Sequence, residues 1–474
     1  MTQLSDVAET ASAGVPTGVG STSFFGSIRA DGCASFALGK GALTEMADLS
    51  VFETLESEVR SYCRDWPTVF TRASGSRMWD TDGVAYVDFF AGAGALNYGH
   101  NFPALMDALV EYLRGDGIIH SLDMSTAAKE RFLQVFDEKI LRPRGLNYKV
   151  QFPGPTGTNS VEAALKLARK VKGREQIVSF TNAFHGMTLG SLAVTGNAMK
   201  RRGAGVPLSH TTSLPYCNFL EEGSSIGLLE ALLSDGGSGL DHPAAVIVET
   251  VQGEGGINVA SWNWLRRLSE LCAESDILLI VDDIQMGCGR TGTFFSFERA
   301  GIQPDIVCLS KSISGSGLPM ALTLMKPELD VWNPGEHNGT FRGNNAAFVT
   351  AAVTLDHFWS DNSFESEIEE KGSLVSRSLA SIAGRHPDLG IDTRGRGMAR
   401  GLVFDDPRLS SAVCMEAFSE GLLVESAGPA GEVVKLMPAL TIDDDDLLEG
   451  LAILANCVDR VAEIESAHQM VRAK

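Results

Sequence analysis

Asp305-Ile-Val-Cys-Leu-Ser-Lys-Ser-Ile-Ser-Gly-Ser-Gly-Leu318 is a short apolar run that breaks into a small, glycine-bearing turn, with Lys311 at the break. Its length and composition are those of a buried strand, and the serines and glycines end it. A lysine beside Leu309 and Ile313 is costly to bury charged. It is therefore paired, or snorkelling with its head in water, or held with a lowered pKa as a nucleophile. Outward from this stretch, apolar runs of strand type fall at 149–152, 177–180, 245–249 and 277–282 before it, with 306–309 inside it and 321–325 after it. Helical periodicity lies between several of them. Over 160–170, Val161, Ala164, Leu165 and Ala168 share a face, and 262–272 behaves alike. Such alternation predicts an α/β fold: a large, mostly parallel sheet covered by helices, with ligands gathering beyond the carboxyl ends of its strands.

The remainder of the 474 residues frames this sheet. Residues 1–48, rich in Ala, Gly, Ser and Thr without sustained periodicity, are expected to form a mobile extension, of which 1–45 are dispensable, with Met46 a plausible start for the folded part. A short amphipathic segment leads to Cys63. Trp79-Asp-Thr-Asp-Gly83 then marks a turn between two strand-like runs, so 49–100 reads as a segment with a small β-meander. The small residues of Ala91-Gly-Ala-Gly-Ala-Leu-Asn97 either let backbone approach a ligand or make a plain turn. Residues 101–354 hold the large sheet, and 355–474 read as a smaller α+β domain to which 49–100 also belongs. Asp443 to Asp446 stand directly before an apolar helical pattern, where acids complement the helix dipole, so they are read as capping and no metal site is expected.

Composition narrows the function. Apolar residues at 44% and charged residues at 21% describe a folded chain, and a formal charge of −21 argues against a nucleic-acid partner, which needs a basic face. The eight cysteines are scattered without a CxxC pair, as expected of a reducing compartment with no disulfide frame. No basic segment followed by an apolar core opens the chain, and no uncharged run is long enough to span a bilayer; the expectation is a cytoplasmic protein with no membrane partner.

Four features then converge on one chemistry. Pro153-Gly-Pro-Thr-Gly-Thr-Asn159 precedes a helix whose free N–H groups and dipole suit a phosphate. Phe184, in Ala183-Phe-His-Gly186, is an aromatic that could stack on a flat ligand or simply fill core. Asp282 stands at the carboxyl end of an apolar strand, with Ile284 two places on, and Lys311 follows after one further excursion of chain. Pyridoxal phosphate needs this set: an amine for a Schiff base, a carboxylate that keeps the pyridine nitrogen protonated, a helix N-terminus for the phosphate and an aromatic cover.

From about Phe52 to Val461 the chain resembles the class III, or ω-type, aminotransferases of fold type I, the aspartate-aminotransferase-like fold. The matching motifs are Trp79 to Gly83 with Tyr86-Val-Asp-Phe89, Thr156-Gly-Thr158, Phe184-His-Gly186, Glu249 through Gln252-Gly-Glu-Gly-Gly256, Asp282-Asp-Ile-Gln-Met-Gly-Cys-Gly-Arg-Thr-Gly292, Ser310-Lys311 and Gly339-Thr-Phe-Arg-Gly-Asn344. The resemblance implies pyridoxal 5'-phosphate as cofactor, Lys311 as the Schiff-base lysine and proton carrier, and Asp282 as partner of the ring nitrogen. It further implies that Gly157 and Thr158 bind the phosphate through backbone N–H, with Thr340 reaching it from a neighbouring subunit. Phe184 and Ile284 would cover the two ring faces and Gln285 would reach the ring hydroxyl. A site shared in this way implies a homodimer or higher homo-oligomer.

Four stretches, 55–63, 88–100, 151–159 and 335–344, resemble more specifically a branch of the family that moves the amino group of L-glutamate onto L-aspartate 4-semialdehyde. The products would be L-2,4-diaminobutyrate and 2-oxoglutarate, the former serving ectoine synthesis and so osmoprotection, or a siderophore or antibiotic. Enzymes acting on ornithine, acetylornithine or 4-aminobutyrate are the alternative. A cofactor-binding regulator without catalysis is a more distant one. The sequence also departs from the family: Met187 stands where many members carry an arginine for a substrate carboxylate, and Lys435 stands at an arginine of the ornithine type. Lys435 and Glu254 are candidates for a pair that sorts the two substrates, and Arg342 is the other candidate for a substrate carboxylate.

Overall fold

A computed structural model of the chain describes residues 48–220 and 224–472. The extension expected over 1–48, with its proposed start at Met46, therefore lies outside the described residues except for Asp48. The described residues form one compact unit.

Its centre is a seven-stranded sheet running Lys149–Gln151, Leu322–Met325, Ile306–Leu309, Leu278–Asp282, Ala245–Val248, Ile177–Phe180 and Thr211–Leu214. The five central strands are buried at every position. That is why they read as unbroken apolar runs rather than alternating ones, since helices cover both faces. Leu322–Met325 alone runs against its neighbours, antiparallel to Ile306–Leu309 and to Lys149–Gln151. On one face the helix Gly157–Lys172 buries Val161, Ala164, Leu165 and Ala168 against Ile247, Ile280 and Ile306. Each of the larger side chains contributes roughly 1.5–3 kcal/mol by leaving water.

Register fixes where the chemistry falls. Asp282 pairs with Cys308, three residues before Lys311, and Val248, next to Glu249, pairs with Val281. All these groups leave the sheet at the carboxyl ends of parallel strands, the edge where ligands collect in open α/β sheets.

Two smaller sheets flank it. Phe70–Ser74, Arg77–Asp80 and Ala85–Asp88 form the N-terminal meander, extended by Leu422–Leu423 running parallel to the last of them. Asp80 closes the 81–84 turn, its Oδ1 accepting from the Asp82 and Val84 N–H groups at 3.0 and 2.9 Å. Near the C-terminus, Ile391–Arg396, Ala399–Phe404, Val433–Leu436 and Glu425–Ala427 form an antiparallel sheet in that order. The helix Asp444–Arg472 begins at the aspartate run, where Asp443 Oδ1 accepts from the Asp446 N–H at 2.7 Å.

Three expectations are corrected. The helix after the glycine turn starts at Gly157 rather than near Ser160, because Asn159 Oδ1 accepts from the Thr156 N–H and Oγ1 at 3.3 and 2.8 Å and so caps the helix one turn earlier. The stretch 55–63 is not one amphipathic segment: a helix ends at Leu55 and another begins at Tyr62, and neither buries a side chain. Thr211–Leu214 is an additional strand whose Thr-Thr-Ser-Leu sequence carries no apolar run, as an edge position permits.

Candidate active site

Lys311 opens a short turn with φ +48°, a conformation side chains rarely adopt, directly after the Ile306–Leu309 strand. Ser310 Oγ anchors that turn by donating to Met320 O at 2.8 Å. The Lys311 amine donates to Ala93 O at 2.8 Å, and burial pulls its pKa below the usual lysine range. The carbonyl is within reach because the Ala91–Gly94 turn is itself left-handed, with positive φ at Ala91, Gly92, Ala93 and Gly94. The small residues of that stretch thus bring backbone to the lysine.

Asp282 accepts from the Ile284 N–H at 3.2 Å through Oδ1 and meets His185 Nδ1 at 2.7 Å through Oδ2. His185 is wholly enclosed. Burial pulls its pKa down, but Asp282 outweighs this and holds it up, while Nε2 has no hydrogen-bond partner among the described residues. Glu249 Oε2 accepts from the Phe184 N–H at 3.0 Å and is pushed up to about 8, chiefly by burial. Gln285 Nε2 donates to Ala93 O and to Glu254 Oε1 at 3.0 and 3.3 Å.

Gly157, Thr158, Phe184, Glu254, Asp282, Ile284, Gln285 and Lys311 line one cavity of about 280 Å³ together with Met187 and Glu249. Around it the donor set fits pyridoxal phosphate. No acceptor within the chain takes the N–H of Gly157 or Thr158 among the described residues, as the first turn of a helix requires. A Cβ on Gly157 would lie 3.0 Å from Ile284 Cγ2, so the glycine lets Ile284 pack closely against the start of the helix. Lys200 places its amine 4.3 Å from the centre of the Phe184 ring at the rim.

Lys435 is fully enclosed rather than a surface lysine. Its amine lies 2.7 Å from Glu254 Oε1 and 2.9 Å from Glu425 Oε1, and Glu425 stands directly opposite it across an antiparallel strand pair. Burial pulls the Lys435 pKa down, but the two carboxylates outweigh it and hold it up; Lys435 in turn holds Glu254 well below the carboxylate range, whereas burial raises Glu425. Thr340 and Arg342 are not brought to this cavity within one chain. They form a turn beside a different one, where Arg342 pairs with Asp123 at 2.5 Å.

Sequence reasoning passed over four participants: the Ala93 carbonyl, His185, Glu249 and Glu425. His185 and Glu249 stood inside motifs already singled out. Glu425 gave no signal, because only strand register sets it against Lys435.

A family model described as aminotransferase class-III matches residues 61–458. The diaminobutyrate–2-oxoglutarate transaminase of Nocardia farcinica (strain IFM 10152) is 62% identical over 416 residues, 88% of this chain and 95% of that protein. The protein of the same name from Streptomyces coelicolor (strain ATCC BAA-471 / A3(2) / M145) is 64% identical over 418 residues, covering 88% and 99%. Among solved structures, the ornithine aminotransferase from Toxoplasma gondii ME49 superposes with a TM-score of 0.76 at 26% identity, over 88% of this chain and 95% of that one.

Proposed function

We propose that this chain, which belongs to the class-III aminotransferases and is a pyridoxal-phosphate-dependent aminotransferase of fold type I, moves the amino group of L-glutamate onto L-aspartate 4-semialdehyde, giving L-2,4-diaminobutyrate and 2-oxoglutarate. The observation that carries the chemistry is the meeting of the Lys311 amine, Asp282 and the open N–H groups of Gly157 and Thr158 around one cavity. The choice of substrates is supported by 62–64% identity to transaminases of that name, against 26% to an ornithine enzyme.

In this reading Lys311 Nζ would hold the cofactor and would take up and release the transferred proton, aided by burial that makes its proton easier to lose. Asp282, steadied by His185, would keep the ring nitrogen protonated. The bound cofactor supplies an electron sink for the charge left when a proton leaves the substrate carbon. Gly157 and Thr158 would take the phosphate through backbone N–H, Phe184 and Ile284 would cover the ring, and Gln285 would reach its hydroxyl.

A homodimer, with Thr340 completing the partner's phosphate site, is part of the same proposal. It is supported by the exposed apolar side chains Ile118, Ile119, Leu122, Met124 and Phe341 around the Thr340 turn, which is tied to that stretch by the His120–Asn344 bridge. So is the division into a large cofactor-binding part, 101–354, and a small part made of 49–100 and 355–474, supported by Leu422–Leu423 joining the N-terminal meander. No described helix is long and apolar enough to cross a membrane, and we place the enzyme in the cytoplasm at the first step of ectoine synthesis. Gene neighbourhood separates that role from siderophore or antibiotic synthesis.

Profiling purified holoenzyme against amino donors and acceptors tests the substrate assignment. Glutamate should discharge the cofactor's visible absorbance and the semialdehyde should restore it. Preference for ornithine, acetylornithine or 4-aminobutyrate contradicts the assignment, and no response to any donor would leave a protein that only binds the cofactor.

A further inference from the structure

The Lys200 amine at the rim of the cavity is a cation without an anion. Backbone pairing sets its helix beside Phe184: the Gly196 N–H donates to Ala183 O at 2.7 Å, the His185 N–H donates to Thr195 Oγ1 at 3.0 Å, and Arg201 donates to Ala193 O and Thr195 O at 3.1 and 2.8 Å. Asn197 Oδ1 caps the short helix Ala198–Arg201 by accepting from the Lys200 N–H at 3.1 Å. Among the described residues the amine itself makes no hydrogen bond or ion pair, and it rests 4.3 Å from the centre of the Phe184 ring. Glu254, on the same lining, is held low by Lys435 first, and the charge of Lys200 adds to that hold. The other cations near the cavity are committed. Lys311 carries the chemistry, and Lys435 is enclosed between Glu254 and Glu425, where leaving would strand buried carboxylates. Arg342 is paired with Asp123 beside another cavity, and Met187 on the lining is apolar. A cation held only by a ring passes to an anion without stranding a countercharge, and the charge-assisted hydrogen bond it then makes is the stronger contact.

We propose that Lys200 is a specificity-determining residue that receives the one carboxylate both substrates carry at the same spacing. The proposal rests on the substrate assignment above. L-Glutamate reacts at C2 and L-2,4-diaminobutyrate at C4, and in each a carboxylate carbon lies three bonds from the reacting carbon, at C5 and at C1. With the reacting carbon at Lys311, either molecule therefore extends a carboxylate to the same place. Lys200 does not sort the two substrates; it selects for what they have in common, so one cavity takes both in turn. A donor without that carboxylate gains nothing from the amine, which stays on the ring. 1,3-Diaminopropane, which is diaminobutyrate with its carboxylate replaced by hydrogen, is such a donor.

The test follows each donor half-reaction in the holoenzyme by the loss of the cofactor's visible absorbance, with no acceptor added. Lys200→Met should raise the half-saturating concentrations of L-glutamate and of L-2,4-diaminobutyrate alike, each roughly 10- to 100-fold, with the loss in half-saturation rather than in limiting rate. Lys200→Arg, which keeps the charge, should retain most of the affinity, and the response to 1,3-diaminopropane should be the same in the unsubstituted protein and both variants. Glutarate, which has carboxylates but no amine to transfer, gives a readout independent of turnover: its affinity for the holoenzyme, measured by calorimetry, should fall in Lys200→Met and recover in Lys200→Arg. Half-saturation unchanged for both substrates, a loss confined to one of them, or an equal loss for 1,3-diaminopropane overturns the proposal while leaving the transaminase reading intact. If neither glutamate nor diaminobutyrate discharges the absorbance of the unsubstituted holoenzyme, the proposed function falls and this inference with it.

Discussion

Lys311 and Glu249 respond to burial in opposite electrical senses, and each response can be measured. Burial lowers the lysine's pKa, which suits an amine that must attack and shuttle a proton. Lys311→Ala is expected to reduce transamination by at least about a thousandfold and to abolish the covalent cofactor absorbance, while near-ultraviolet circular dichroism shows the fold retained; normal turnover would remove Lys311 from the mechanism. For Glu249 the native pKa is about 8 against an ordinary value of 4.5. Between those values the native state holds a proton that the unfolded chain has released, so this group's stabilising contribution is complete below the lower value and lost as pH rises through the upper one. The melting temperature of the cofactor-free protein should fall between about pH 6 and about pH 8.5, and less steeply in Glu249→Gln; parallel slopes would contradict this. At this scale the sequence was informative where chemistry demands a residue type at a strand end, as at Asp282 and Lys311. It was silent where function depends on a backbone atom or on register, as with the Ala93 carbonyl and Glu425.

The first turn of the Gly157–Lys172 helix is the element proposed to hold the cofactor's phosphate. Asn159 closes that turn back onto Thr156, so the N–H groups of Gly157 and Thr158 are aimed before any anion arrives. Asn159→Ala should cost about 1 kcal/mol of stability and weaken cofactor affinity in titrations of cofactor-free protein, with kcat of the saturated enzyme little changed. If affinity is untouched, capping does not set the cup. The central strands were legible because burial on both faces enforces an apolar run; their predicted ends lie within a residue of the observed ones. Thr211–Leu214 was not, because an edge strand can be polar. The helix start was misplaced by three residues because capping outranks apolar periodicity in deciding where a helix begins.

For the whole molecule, one chain accounts for the cavity but leaves Thr340 and a patch of apolar side chains, Phe341 the most exposed of them at 68%, outside its lining. A second copy would both cover that patch and bring Thr340 to a phosphate. Phe341→Asp should therefore shift the protein toward monomer in sedimentation velocity and depress cofactor retention and activity together. A monomeric variant with full activity would show that each chain is self-sufficient.

The account is tested most directly by following nitrogen. Purified holoenzyme is given L-glutamate labelled at its amino nitrogen together with L-aspartate 4-semialdehyde, and the products are identified by mass spectrometry and NMR. The label should appear at the C4 amino group of L-2,4-diaminobutyrate, in equal amount with 2-oxoglutarate. Label that stays in glutamate, or that reaches another acceptor such as glutamate semialdehyde or succinate semialdehyde in preference, would contradict it.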